Sequence, residues 1–113
     1  KMENELRDMA IDICNKYKVT FEMDQIGGFD PVAFDKECLD NIRNSADKFG
    51  YSHKDIVSGA GHDACWINTV APSAMVMCPC VDGLSHNEAE EIKPEWASSS
   101  TNVMLHAAIA SAT

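Results

Sequence analysis

The chain has 113 residues, 45% of them hydrophobic, five cysteines and a formal net charge of −9. That length suits one modest domain with a core, and the ordinary apolar share speaks against disorder. The acidity speaks against nucleic acid or an anionic membrane as a partner, and no apolar run approaches the ~18–20 residues of a membrane span.

The amino end, KMENELRDMA, lacks the apolar centre of a signal peptide and starts without Met. Lys1 is therefore expected to be a cut in a longer chain. The odd number and irregular spacing of the cysteines suit reduced thiols in a cytoplasmic setting better than a disulfide framework.

From Glu3 to Lys18 the apolar residues Leu6, Met9, Ala10, Ile13, Cys14 and Tyr17 recur at helical spacing, which predicts an amphipathic helix. Glu3 and Glu5 at its start and Lys16 and Lys18 at its end suit the helix dipole. Val19 to Asp24 then alternates strictly, predicting a half-buried strand. Gly27, Gly28 and Pro31 break the pattern, as a surface turn or as a hinge between domains.

Asp35 reads as the N-cap of a second helix that stops at Gly50, with Cys38, Leu39, Ile42, Ala46 and Phe49 on one face. Asp55 to Val57 predicts a short strand running into the glycine-rich Ser58-Gly-Ala-Gly-His-Asp63. A brief helix is expected from Asp63 to about Val70, before Pro72. Ala74 to Cys78 is continuously apolar, the pattern of a strand buried on both faces. Pro79 to Asn87 is loop by its turn residues. Pro94 opens a final helix whose buried side is expected at Trp96, Val103, Met104, Ala107 and Ala108. Beyond the joint the order is helix, strand, helix, strand, helix. This is an α/β pattern, in which ligands sit at strand ends.

His62 and His86 both fall at or just past a predicted strand end, so one sheet edge could present both. His53 reads as a surface residue and His106 as a helix-packing one. Three chemistries remain open. Neutral imidazole can bind a divalent metal for assisted hydrolysis. Cys78 or Cys80 could act as a nucleophile with His86. Cys78, Cys80 and a histidine could hold a structural zinc, although Cys-x-Cys is tighter than the usual ligand spacing.

SGAGHDA (58–64), the apolar segment after it and GLSHNEAE (83–90), with the two histidines 24 positions apart, resemble a family of zinc-dependent amidohydrolases. These are the N-carbamoyl-L-amino acid hydrolases, β-ureidopropionases and allantoate amidohydrolases, relatives of the zinc aminopeptidases. The resemblance covers nearly the whole chain and points to the carboxyl-terminal part of such an enzyme. Its motifs do not separate the substrates within the group.

The resemblance implies that His86, in Gly-Leu-Ser-His, is the final ligand of a two-metal centre holding zinc, or else manganese or cobalt. Gly61 and His62 would contact the substrate, with His62 donating to the oxyanion as water adds. Residues 1–26 would be the last helix and strand of an inserted α+β dimerisation domain, 27–31 the hinge, and 32–113 the end of the catalytic domain. The whole would be a homodimer acting on a small ureido or carbamoyl compound. The family's remaining metal ligands and its general base have no match in this chain, so no catalytic residue is assigned here. Glu88, Glu90 and Glu91 read as helix-start charges. The segment alone is expected to be inactive. The alternative from another class is a non-catalytic α/β module for protein association.

Overall fold

The computed structural model describes residues 1–28 and 30–112, in two compact units, Lys1–Asp30 and Pro31–Thr113. Four α-helices form: α1 (Met2–Tyr17), α2 (Lys36–Lys48), α3 (Asp63–Ile67) and α4 (Pro94–Ser111), with a 3₁₀ turn at Val81–Gly83.

In the first unit, α1 ends at Lys18, whose backbone turns left-handed at φ 55 and caps the carbonyls of Asn15 and Cys14. Arg7 Nη1 then donates to the carbonyl oxygen of Met23 at 3.1 Å, tying the segment after the helix back to it. Of the expected stripe, Ala10 and Cys14 are half-buried, while Leu6, Met9, Ile13 and Tyr17 stay exposed.

The second unit is built on α2 against α4. Asp35 caps α2 as its sequence predicts, accepting the Cys38 N–H at 2.9 Å, and Gly50 ends the region with φ 67. Among the described residues the buried ones, Ser45, Ala46, Val103 and Ala107, all lie on these two helices. Small side chains on α2 allow the close approach of α4. At one end Phe49 stacks on Tyr51 and meets the edge of His106, with ring centres 4.8 Å apart in the latter pair, so His106 packs as expected. Arg43 ties α2 to the following segment by pairing with both Asp40 and Asp55.

The α/β expectation is met only in part: the helices form and the strands do not. Among the described residues no strand ladder forms: 19–24, 55–57 and 74–78 are neither helix nor paired strand. Residues 74–78 are half-buried instead of fully buried, with Met77 43% exposed. A strand exists only through its hydrogen-bonded neighbours, and these segments do not pair with one another. Met104 and Ala108 also prove exposed, and Val103 and Ala107 are the residues of α4 that are buried. No described helix is long and apolar enough to cross a membrane.

Candidate active site

The second unit carries one cleft of about 580 Å³ into which the sequence-derived motifs converge. Three stretches line it: Ser58, Gly59, Ala60 and His62 from the first motif, Met77, Cys78 and Cys80 from the apolar segment, and Ser85, His86, Glu90 and Ile92 from the second. The two histidines thus share a cleft, although no sheet places them there. Gly61 stands beside His62 in sequence but is not among the lining residues.

His62 is the N-cap residue of α3, with extended backbone. Its Nε2 lies 2.7 Å from Ser58 Oγ, and the same oxygen accepts the Ala60 N–H at 3.2 Å. Ser58 therefore turns the chain and touches the imidazole at once. A Cβ added at Gly59 would meet nothing within 4 Å, so the loop has open space beside it.

His86 sits in a loop closed by the Val81 N–H donating to the carbonyl of Glu91 at 2.8 Å. Asp82 and Gly83 turn left-handed, at φ 54 and 69, which lets the chain reverse after Cys80. Asn87 organises the far side: its side chain accepts the Ala89 N–H and its carbonyl the Glu90 N–H, each at 2.9 Å. His86 itself is left-handed at φ 58. Its N–H donates to Glu90 Oε2 at 2.8 Å, and its Nδ1 lies 3.1 Å from Ser85 Oγ.

Glu90 is consequently not a helix-start charge. The helix begins four residues later at Pro94, and the Glu90 carboxylate turns into the cleft, where its other oxygen faces the Cys80 thiol at 3.7 Å. Burial first, and then the Glu90 charge, push the Cys80 thiol up. Cys80 thus stays a thiol at neutral pH, which weakens its reading as a nucleophile. The Cys78 thiol donates to the carbonyl of Trp96 at 3.5 Å and is committed to packing.

Among the described residues no three His, Cys, Asp or Glu side chains approach closely enough to hold a metal ion. The donors fit one contribution to a metal centre, not a whole one. His86 qualifies: Ser85 lies against its Nδ1, and no described residue bonds its Nε2. Cys78 and Cys80 do not form a zinc site with it. Sequence reasoning missed Ser58, Ser85 and Glu90. The one signal for two of them was a four-residue offset, Ser58 before His62 and Glu90 after His86.

The sequence matches the family described as Peptidase family M20/M25/M40 over residues 3–110. It is 52% identical over 103 residues to an N-carbamoyl-L-amino-acid amidohydrolase of Rhizobium meliloti, covering 91% of this chain and 25% of that protein. To the allantoate amidohydrolase of Escherichia coli strain K12 it is 29% identical over 90 residues, 80% of this chain and 21% of the other. A solved hydantoinase/carbamoylase family amidase from Burkholderia vietnamiensis is similar with a TM-score of 0.90 and 49% identity, covering 94% of this chain and 26% of that one. The chain thus spans about a quarter of the length of these proteins. With almost all its residues matched, the chain belongs to Peptidase family M20/M25/M40.

Proposed function

We propose that these residues are the carboxyl-terminal part of a metal-dependent amidohydrolase that cleaves the C–N bond of an N-carbamoyl or ureido compound. The observation that carries the reading is the convergence of His62 and His86, from two separate motifs, on one cleft. The names of the relatives support the reaction class: N-carbamoyl-L-amino-acid and allantoate amidohydrolases both act on such bonds.

In this reading His86 holds a divalent metal, zinc or else manganese or cobalt. When bound, the metal polarises the carbonyl and lowers the pKa of water. The remaining work falls to the chain's own side chains. His62 and Gly61 bind the substrate beside the scissile carbonyl, and a hydrogen bond donated by His62 stabilises the oxygen as charge develops on it. Ser58 holds the His62 ring, while Met77 and Ile92 give the cleft an apolar side that excludes water from part of the substrate.

Residues 1–26 are read as the end of an inserted dimerisation domain and 27–31 as the hinge. The separate compactness of the unit Lys1–Asp30 and the exposed Leu6, Met9, Ile13 and Tyr17 of α1 support this. Five unpaired cysteines suit a cytoplasmic enzyme. The test is ammonia release from N-carbamoyl-L-amino acids and from allantoate by the full-length polypeptide carrying these residues. Release from either supports the reading. Hydrolysis of dipeptides alone would refute it, as would release by the 113 residues in isolation.

A further inference from the structure

We infer that Glu90 is a positioning residue: its carboxylate holds the backbone of His86 in the left-handed turn and so fixes where the imidazole is presented to the cleft. This rests on the reading of His86 as a metal ligand. A residue other than glycine at φ 58 stands in a region that L side chains rarely occupy. Such a conformation persists where surrounding groups over-determine it, and here the group is visible. Glu90 Oε2 accepts the His86 N–H at 2.8 Å, a charge-assisted bond of good length.

The carboxylate is itself anchored. Its second oxygen faces the Cys80 thiol, and its backbone N–H is bound to the carbonyl of Asn87. Glu90 therefore brackets the loop from Cys80 to His86. With the backbone set, Ser85 Oγ beside Nδ1 fixes the ring, and Nε2 is the nitrogen left to bind a metal. Groups of this kind, one bond removed from a ligand, orient it and raise its affinity.

The test compares Glu90→Ala, Glu90→Gln and His86→Ala in the full-length polypeptide. Three quantities are measured: zinc affinity by chelator competition, exchange of the His86 amide, and the thermal midpoint of the metal-free protein. Glu90→Ala is expected to weaken zinc binding roughly ten- to hundredfold and to speed exchange at His86. Glu90→Gln keeps an acceptor oxygen and is expected to restore most of both. Unchanged zinc affinity in Glu90→Ala, beside a loss in His86→Ala, overturns the proposal. So do equal losses in both Glu90 variants, or losses matched by a collapse of the metal-free midpoint. If His86→Ala retains zinc, the ligand reading fails by itself. The exchange rate then decides on Glu90, and unchanged exchange overturns its role.

Discussion

Replacing Ser58 by alanine should cost a small, defined share of activity, and all of it through His62. Ser58 Oγ lies 2.7 Å from His62 Nε2 while accepting the Ala60 N–H. A hydroxyl has one proton to give. Donated to Nε2, it places the proton of the neutral imidazole on Nδ1, and Nδ1–H becomes the donor offered to a substrate oxygen. Without Ser58 both the tautomer and the ring angle are free. A neutral, solvent-accessible hydrogen bond of this kind contributes about 1 kcal/mol, which is about fivefold in kcat/KM. His62→Ala removes the donor itself and should cost roughly 10²–10³-fold. The double variant should be no slower than His62→Ala, because Ser58 has nothing left to orient. Steady-state ammonia release from an N-carbamoyl-L-amino acid by the full-length polypeptide measures all four forms. A Ser58→Ala loss that persists undiminished in the His62→Ala background would mean that Ser58 does not act through His62.

Two predictions concern the scaffold under the cleft. Val103 is 5% exposed and lies on α4, which packs on α2; Val103→Ala removes two buried carbons and should lower stability by about 1.6 kcal/mol at ~0.8 kcal/mol per buried methylene. An unshifted urea midpoint would mean that the helix pair is not where the unit's stability resides. The Asp35 carboxyl is held below its ordinary range, chiefly by the Cys38 N–H it accepts. The stability it contributes is therefore fully present above the ordinary carboxylate pKa of ~3.9 and lost as pH falls through the lowered folded value. Asp35→Ala should flatten that part of a thermal-midpoint-against-pH curve, and an acid limb identical to that of the unaltered chain would count against the cap.

The helices were legible because their signals are local. Asp35 and Gly50 bracket α2, and Pro94 opens α4, through cap and turn chemistry that needs no distant partner. The strands were not, because alternation at Val19–Asp24 or continuous apolarity at Ala74–Cys78 states a preference that only neighbouring strands can satisfy. Met104 was misplaced for a related reason. Helical spacing gives a stripe, but only its part at Val103 and Ala107 is buried. In the site, histidines in glycine-rich loops announced themselves by residue type, whereas Glu90 looked like one of three acidic residues ahead of a helix. The turn made by Asn87 and the left-handed His86 postpones that helix to Pro94 and swings Glu90 back onto the histidine. No periodicity encodes a contact of that kind. Ser58 was hidden likewise, four residues from His62 in a loop where that offset carries no helical meaning.

The proposed division of labour in the shared cleft gives His86 the metal and His62 the substrate. Zinc content of the full-length polypeptide, measured for the unaltered form, His86→Ala and His62→Ala, separates the two roles. Bound zinc is expected to be lost in His86→Ala and fully retained in His62→Ala. Retention in His86→Ala, or loss in His62→Ala, would contradict that division.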